Sequence, residues 1–233
     1  MSVLRIATYN TRDFLDDRAA AARVVRDLEP DILCLQEVPR RLGAPLRVTR
    51  FARECGLRWV GNHRGSGGTT IFHAAGVAVE SAWHRGLPVR WGQRTRGYAA
   101  ARFALPGWPA LTVASVHLSL NAQERERHTK LILADLDRHR ADGGEIIVAG
   151  DLNEGASGAA YARLAAALTL VSPPEPTFPA GAPRAALDLI FASAGVRVHP
   201  SRPVRLAETD LRAASDHRPA WVDLVPAVLE AAD

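Results

Sequence analysis

Three strand-like segments follow one another in this chain without a helix between them, and this order restricts the folds open to it. Residues 76–79, 99–105 and 111–118 are short apolar runs of the kind found in strands. A doubly wound parallel sheet needs a long crossover, usually a helix, between successive strands. We therefore predict an α/β chain of the α+β type, with a largely antiparallel or mixed pair of sheets covered by helices.

The other predicted elements alternate between strands and helices. Short apolar runs predict further strands at residues 3–9, 32–36, 145–149, 187–191 and 220–225. Helical patterns with start or stop residues predict helices at residues 17–28, 47–55, 123–140 and 158–168. Glycine and proline predict loops at residues 61–70 and 173–183, the first of them flexible.

The chain is long enough for one substantial core. No linker-like, repetitive or low-complexity segment divides its 233 residues, so we predict a single domain over residues 1–233. Its apolar runs are too short to cross a bilayer, and no signal-peptide pattern follows Met1. Cys34 and Cys55 do not suggest a disulfide scaffold. We therefore expect a cytoplasmic protein without membrane insertion, and a monomer, because nothing suggests an extensive apolar interface.

The chain carries a net charge of +4 and has a pI of about 9.7. Such a charge would suit an anionic partner, for example nucleic acid. However, Lys130 is the only lysine, and the arginines are scattered along the sequence. The charge alone therefore carries little weight.

Acidic, amide and imidazole side chains lie at the ends of several predicted strands or within them. These residues are Asn10, Glu37, His117, Asp151, Asn153, Asp188, Asp216 and His217. Polar groups at strand ends that face one rim of a sheet commonly form a site on a rigid scaffold. Asp188 stands out, because a carboxylate inside an apolar strand needs a partner.

Each of these groups has a plausible chemical task. Mg²⁺ prefers hard oxygen ligands, which Glu37, Asp216 and Asn10 would supply. The two histidines and a further carboxylate would hold an attacking water and neutralise a phosphate. A carboxylate beside an imidazole raises its pKa and fixes its tautomer, which is a natural role for Asp188 beside His217.

Taken singly, several of these residues also have ordinary structural explanations. Asn10 suits a turn, while Asp151 and Asn153 suit the cap of a following segment. Glu37 suits a solvated loop, and an isolated His117 suits a structural histidine. The hypothesis of a site rests on the whole set rather than on any one residue.

Six short motifs occur along the chain in a fixed order. They are Thr-Tyr-Asn ending at Asn10, Leu-Gln-Glu ending at Glu37, Val-His-Leu around His117, Gly-Asp-Leu-Asn from Gly150, Leu-Asp-Leu-Ile-Phe from Leu187 and Ser-Asp-His ending at His217. In this order and spacing the chain resembles the endonuclease/exonuclease/phosphatase superfamily, which includes deoxyribonucleases, abasic-site endonucleases, sphingomyelinases and inositol polyphosphate phosphatases. The resemblance spans almost the whole chain.

The resemblance implies a four-layer sandwich with two central mixed sheets and a site at one rim. It implies that Glu37 is the main ligand of Mg²⁺ or Mn²⁺, with Asn10 and Asp216 close to the ion or its waters. Asp151 would orient or deprotonate the nucleophilic water, and Asn153 would hold a phosphate oxygen. His217, paired with Asp188, would act as general base or phosphate clamp, and His117 would assist the leaving group. Whether Asp151 or His217 is the base stays open.

Three departures from the family pattern qualify the resemblance. Ala186 stands where many members have an arginine, two residues before Asp188. Residues 97–103 contain no acidic residue to pair with His117, as deoxyribonuclease-like members have, so we expect His117 to be less strongly oriented. The segment from Thr11 to Asp13 does not match the abasic-site endonucleases.

Three functions remain open from the sequence. The first is a divalent-metal-dependent phosphodiesterase that acts on nucleic acid. The second is a phosphatase or phosphodiesterase of a small-molecule or lipid phosphoester. Long insertions that wrap duplex DNA are not evident, which weighs slightly against a dedicated DNA enzyme. The third is an inactive module that binds a phosphorylated partner.

Overall fold

The computed structural model describes residues 3–61, 63–140 and 143–227. In this part of the chain there are twelve strands and five α-helices. The strands are Leu4–Asn10 (β1), Ile32–Gln36 (β2), Arg58–Trp59 (β3), Thr70–His73 (β4), Ala78–Leu87 (β5), Arg96–Ala104 (β6), Leu111–His117 (β7), Glu145–Asp151 (β8), Thr169–Leu170 (β9), Asp188–Ala192 (β10), Val196–His199 (β11) and Ala220–Pro226 (β12). The helices are Arg18–Leu28 (α1), Ala44–Glu54 (α2), Ala122–His139 (α3), Ala159–Ala167 (α4) and Glu208–Ala214 (α5).

The strands form two six-stranded sheets. The first sheet has the order β11-β12-β1-β2-β4-β3, and the second has the order β5-β6-β7-β8-β10-β9. Within the described residues the parallel pairs are β1 with β2 and β7 with β8, whereas the other paired strands are antiparallel. Both sheets are therefore mixed and mainly antiparallel, as the sequence predicted.

The two sheets pack face to face, with helices on their outer faces. Ile6 and Val222 of the first sheet meet Val113 and Ile190 of the second in a buried apolar layer. Helices α1, α2 and α5 cover the first sheet, and α3 and α4 cover the second. Because the central strands are buried on both faces, they appear in the sequence as nearly continuous apolar runs. This arrangement confirms the predicted four-layer sandwich.

Helix boundaries follow local signals. The carboxylate of Asp17 accepts hydrogen bonds from the backbone N–H groups of Ala19 and Ala20, and this fixes the start of α1 at Arg18. In α2, Pro45 occupies the first turn, where its missing N–H costs nothing, so the helix begins earlier than the predicted residue 47. Neither helix needs long-range contacts to explain where it begins.

The edge strands differ most from the sequence prediction. The strand predicted at residues 76–79 begins later, at Ala78, and continues to Leu87. Most of β5 is exposed, so its sequence lacks an apolar alternation. Strands β3, β4, β9 and β11 and helix α5 were not predicted. The first three of these strands have at most four residues each, and they exist because a longer neighbour supplies their hydrogen bonds.

In the glycine-rich segment predicted as a flexible loop, residues 61–70, Ser66 and Gly67 pack closely on β6. Ser66 and Thr69 are fully buried. A Cβ atom on Gly67 would lie 2.4 Å from the backbone carbon of Arg96, and Gly67 has a φ of 67°. The glycine therefore permits a close backbone approach.

No helix among the described residues is both long and apolar enough to span a membrane.

Candidate active site

The eight predicted site residues lie around one rim of the sandwich. Asn10, His117 and Asp151 end strands β1, β7 and β8, and Asp188 begins β10. Asp151 pairs in register with His117 on one side and with Asp188 on the other. Sheet pairing therefore brings together side chains that are separated by up to 71 residues in the sequence.

A buried pair forms the deepest part of this rim. Nδ1 of His217 donates a hydrogen bond of 2.8 Å to Oδ2 of Asp188, and the Asp188 side chain is fully buried. The hydroxyl of Thr177 donates to the same oxygen over 2.6 Å. The ring of Phe178 lies 4.9 Å from that of His217, centroid to centroid. These contacts fix the tautomer and orientation of the imidazole and leave Nε2 as its free edge.

That free edge faces Asp151, which is the centre of the cluster. Nε2 of His217 lies 3.9 Å from Oδ2 of Asp151, and Nε2 of His117 lies 3.5 Å from the same oxygen. The side-chain amide of Asn10 donates to this oxygen over 3.1 Å. The backbone N–H of Asn153 donates to Oδ1 of Asp151 over 2.8 Å. Both carboxylate oxygens of Asp151 are therefore held by the protein.

Glu37 and Asp216 form the more open side of the rim. Oε1 of Glu37 lies 3.9 Å from Nε2 of His117. The side chain of Glu37 is 17% exposed and that of Asp216 is 38% exposed, whereas Asp151 and Asp188 are buried. Solvent therefore reaches two of the three predicted metal ligands. The third, Asn10, is buried and accepts a hydrogen bond from the backbone N–H of Arg12 at Oδ1.

Burial and charge shift the ionisation of the buried groups in opposite directions. Burial, and next the charge of Asp188, raise the pKa of Asp151. Burial lowers the pKa of His217, but the charge and hydrogen bond of Asp188 outweigh it and raise this pKa to about 9. Burial, and next the charges of Arg96 and His217, hold the pKa of His117 well below its ordinary value. At neutral pH, His217 is therefore charged and His117 neutral.

Two site residues have a left-handed backbone conformation. Glu37 and Asn153 both have a φ of 51°. Asparagine tolerates this conformation well, but glutamate adopts it at some energetic cost. Such strain outside glycine tends to occur where a side chain must point in a required direction. At Glu37 the turn directs the carboxylate towards His117 rather than along the strand.

The donor atoms at this rim are compatible with a divalent metal ion. Glu37, Asp216 and Asn10 offer carboxylate and amide oxygens, which suit Mg²⁺ or Mn²⁺. A second group, Asp151, Asp188 and His217, has three ligand atoms within 4.8 Å of one another. In that group Nδ1 of His217 and Oδ2 of Asp188 already bond to each other, which makes them poorer ligands than the open carboxylates.

The sequence has no acidic residue at 97–103 to pair with His117, and the structure shows the consequence for this imidazole. Its Nδ1 is buried and makes no hydrogen bond to any described residue. Gly97 lies opposite His117 in the neighbouring strand β6, where a side chain that could hold this nitrogen is missing. A second departure, at Ala186, leaves Asp188 with Thr177 and His217 as its side-chain partners.

Several polar residues at the rim were not among the predicted site residues. Nη1 of Arg94 lies 3.1 Å from Oε2 of Glu37, and Nε of Arg12 lies 3.5 Å from Oδ2 of Asp216. The hydroxyl of Ser215 donates to the backbone carbonyl of Asn10 over 2.7 Å. The only sequence signals for these contacts were the position of Arg94 near the strand that faces His117 and the place of Ser215 in Ser-Asp-His.

Comparison with known proteins identifies the family that the six motifs indicated. The model of the endonuclease/exonuclease/phosphatase family matches residues 7–217. No curated protein matches the sequence.

Solved structures with this fold are similar over nearly the whole chain. A functionally unknown conserved protein from Enterococcus faecalis V583 has a TM-score of 0.79 at 18% identity, over 96% of this chain and 100% of that one. The mannosyl-6-phosphatase Bt3783 of Bacteroides thetaiotaomicron VPI-5482 has a TM-score of 0.73 at 19% identity, over 95% and 99%. ANGEL2, a 2′,3′-cyclic phosphatase in complex with adenosine-2′,3′-vanadate, has a TM-score of 0.75 at 15% identity, over 97% and 96%.

Identities this low establish the fold of the chain rather than its substrate. The family model, in contrast, covers the segment that carries all eight rim residues. The chain therefore belongs to the endonuclease/exonuclease/phosphatase family, whose fold supports phosphoesterase activity.

Proposed function

We propose that this protein hydrolyses phosphoester bonds in a reaction that depends on Mg²⁺ or Mn²⁺, and that phosphodiesters, including those of nucleic acids, are its first substrate class. The observation that carries the proposal is the buried Asp188–His217 pair, whose Nε2 faces Asp151 at the rim that also holds Glu37. A buried, charged network of this kind is costly to maintain without a function, because each desolvated charge needs a partner.

The ionisation states of Asp151 and His217 suggest which catalytic role each of them has. Asp151, with its raised pKa, is suited to accept the proton of an attacking water near neutral pH. His217 is already protonated there, so it acts as a cationic clamp on a phosphoryl oxygen rather than as the base. In this scheme water attacks phosphorus, its proton passes to Asp151, and the bond to the leaving oxygen breaks.

Two further residues would support the same step. His117 is neutral, and its Nδ1 has no partner among the described residues, so its ring proton belongs on Nε2, facing the rim. This Nε2–H would donate a hydrogen bond to the leaving oxygen. The amide nitrogen of Asn153 donates to the backbone carbonyl of Leu118, which directs its Oδ1 away from that strand. Asn153 would then position the phosphate or the attacking water.

Glu37, Asp216 and Asn10 would hold the metal ion. The exposure of the two carboxylates supports this choice over the buried group of Asp151, Asp188 and His217. When bound, the ion would polarise a phosphoryl oxygen and offset the charge that develops on the leaving oxygen. Arg94 and Arg12 contact the same carboxylates, and the metal ion would displace them from these oxygens.

The relatives widen the range of substrates to be tested. One is named as a mannosyl-6-phosphatase and another as a 2′,3′-cyclic phosphatase, so the fold serves both monoesters and diesters. A phosphatase or phosphodiesterase of a small-molecule or lipid phosphoester is therefore the second candidate.

Hydrolysis of bis(p-nitrophenyl) phosphate, compared with p-nitrophenyl phosphate, tests the proposal. The purified protein is assayed in Mg²⁺, in Mn²⁺ and in chelator, beside Glu37→Gln and the matched control Glu80→Gln. Glu80 is an exposed glutamate of β5 without a described partner. We expect metal-dependent turnover that Glu37→Gln abolishes and Glu80→Gln leaves intact.

The failures differ in meaning. Turnover of the monoester alone would show that the protein is a phosphatase rather than a phosphodiesterase. Equal activity in chelator, or in Glu37→Gln, would refute the metal role of Glu37. Binding of inorganic phosphate without turnover of either ester, under both metals, would identify the chain as an inactive phosphate-binding module.

We also propose that residues 1–233 form one domain that acts as a cytoplasmic monomer. Strand β12, near one end of the chain, pairs with β1, near the other, which is difficult to reconcile with a division into two domains. Cys34 and Cys55 are buried free thiols, which suits a reducing compartment. Size-exclusion chromatography with light scattering tests the oligomeric state.

A further inference from the structure

A cavity lined by arginines opens beside Glu37. It has a volume of about 820 Å³, and four arginines line it: Arg40, Arg41, Arg47 and Arg94. Asp13 is its acidic member among the described residues. We call this feature the arginine cavity. Its lining carries four arginines and one carboxylate, and Glu37 lies at its edge beside Arg94, so the net positive charge favours an anion.

The arginines of the cavity are only partly compensated by protein groups. Arg94 pairs with Asp13 and Glu37. Arg40 donates to Thr95, which carries no charge. Arg47 reaches the backbone carbonyl of Asp13 over 3.4 Å. Arg41 makes no side-chain hydrogen bond or ion pair to any residue in the described ranges.

This clustering has an energetic cost in the absence of an anion. Burial, and next the charge of Arg94, lower the pKa of Arg40, which means that its positive charge is held in an unfavourable environment. A phosphate accepts bidentate hydrogen bonds from guanidinium groups and would relieve this repulsion. A carboxylate is a weaker match, because it carries one charge and two acceptor oxygens.

The arginine cavity and the candidate active site share a wall. Arg94 lines the cavity, and its Nη1 lies 3.1 Å from Oε2 of Glu37. Arg40 and Arg41 follow Glu37 closely in the sequence, on the loop between β2 and α2. A group bound in the cavity therefore lies next to a phosphoester held at Glu37.

We propose that the arginine cavity binds a second phosphate group of the substrate, so that the enzyme prefers phosphoesters that carry another phosphate near the one it cleaves. This inference rests on the proposed function for the position of the cleaved ester. The second phosphate has two sources with the same chemistry: a phosphomonoester elsewhere on a small molecule, or the neighbouring phosphodiester of a polynucleotide.

Equilibrium binding tests the cavity without requiring turnover. Thymidine 3′,5′-bisphosphate and thymidine 5′-monophosphate are titrated calorimetrically into the full chain in chelator, and a short oligothymidylate is titrated in parallel. Arg41→Ala and Arg47→Ala are compared with Arg127→Ala, which removes an exposed arginine from α3. We expect the bisphosphate to bind at least about tenfold more tightly than the monophosphate, because charged hydrogen bonds contribute this much.

The variants decide whether that advantage belongs to the cavity. Arg41→Ala and Arg47→Ala should each remove most of it, and Arg127→Ala should preserve it. A preference for the bisphosphate supports a small-molecule source, and a preference for the oligothymidylate alone supports a polynucleotide. Equal affinity of all three ligands, or the same loss in Arg127→Ala, would overturn the proposal.

Kinetics separate this proposal from the proposed function. For any diester that proves to be a substrate, kcat/KM is measured for a form with a second phosphate and for a form without it. In the wild type the form with the second phosphate should have the higher kcat/KM. In Arg41→Ala and Arg47→Ala the ratio of the two values should fall towards one. Absence of hydrolysis in the wild type and in all variants would reject the proposed function. The binding measurements would then still show whether the arginine cavity binds a second phosphate.

Discussion

His217 donates from Nδ1 to Oδ2 of Asp188 over 2.8 Å, and both side chains are buried. An isolated imidazole at this depth would lose its proton, because burial disfavours the charged form. The carboxylate of Asp188 reverses that effect and raises the pKa of His217 to about 9. His217 therefore keeps its positive charge beside Asp151 across the physiological pH range.

Replacement of Asp188 by asparagine tests this effect directly. Asp188→Asn keeps the shape of the side chain but removes its charge, so the pKa of His217 should fall from about 9 towards 6.5 or lower. NMR titration of the imidazole in metal-free protein measures it. We expect kcat to fall by about 10²-fold or more. Asp137→Asn, at an exposed position of α3, is the control. An unchanged pKa of His217 in Asp188→Asn would contradict the account.

The same pair makes stability depend on pH in a defined direction. The folded-state pKa of His217 lies above its unfolded value of 6.5. Its contribution to the free energy of unfolding is therefore fully present below about pH 6.5 and declines as pH rises to about 9. Urea denaturation of the metal-free protein from pH 6 to 10 should show this decline, and Asp188→Asn should reduce it.

Thr177 is expected to be a positioning residue for Asp188. Its hydroxyl donates to Oδ2 of Asp188 over 2.6 Å and accepts from the backbone N–H groups of Leu187 and Asp188. Thr177→Val removes these bonds with little change in shape. We expect kcat to fall about tenfold with KM little changed, because a hydrogen bond to a charged group contributes about 1.5–3 kcal/mol.

Thr177→Ser distinguishes positioning from packing at this site. Serine restores the hydroxyl but omits the methyl group, so it should recover most of kcat if the hydrogen bond matters. A serine variant as slow as the valine variant would show instead that Thr177 acts through packing.

The sequence pointed to the rim residues because several of them break a local apolar pattern and all of them fall in the six ordered motifs. Asp188 interrupts an apolar strand, and Asn10 and Glu37 directly follow one, so their polarity is visible without knowledge of the partners. The central strands were predictable for the same reason, because burial on both faces produces a continuous apolar run.

Contacts between distant segments had no comparable signal. Arg94 and Glu37 are 57 residues apart, and the position of Arg94 near the strand that faces His117 does not by itself indicate a contact with Glu37. Helix α5 has seven residues and is held by α1 rather than by its own propensity. The arginine cavity combines residues 13, 40, 41, 47 and 94, so it becomes visible only once the sheets are assembled.

Gly150, in β8, pairs with Val116 of β7, and we expect any side chain at this position to destabilise the protein. A Cβ atom at this position would lie 2.0 Å from the carbonyl oxygen of Val116 on the neighbouring strand. Gly150→Ala must therefore separate the two strands next to Asp151, and overpacking of this kind costs about 1–3 kcal/mol or more. Chemical denaturation measures the loss. Gly155→Ala, where nothing lies within 4 Å, should change stability by less than about 0.5 kcal/mol. Similar effects of the two substitutions would refute this explanation.

Arg5 and Asp223 form a buried ion pair that joins β1 to β12. Nε of Arg5 lies 2.7 Å from Oδ1 of Asp223, and the two side chains are 2% and 0% exposed. Burial raises the pKa of Asp223, but hydrogen bonds from Arg5 and from the backbone N–H of Arg202 outweigh it, so the net pKa lies below 3.8. This pair stabilises the fold while the carboxylate is ionised.

Asp223→Asn should destabilise the protein by about 3–5 kcal/mol at neutral pH, because it leaves the guanidinium of Arg5 buried without a counter-charge. Since the folded pKa of Asp223 is depressed, its contribution is present above about pH 3.8 and is lost as pH falls through the lower, folded value. The difference in unfolding free energy between wild type and Asp223→Asn should therefore shrink below that pH. Asp210→Asn, which breaks an ion pair with the exposed Arg23, should cost far less, because water screens that pair. Equal losses in Asp223→Asn and Asp210→Asn would show that burial of the Arg5 pair adds nothing to its importance.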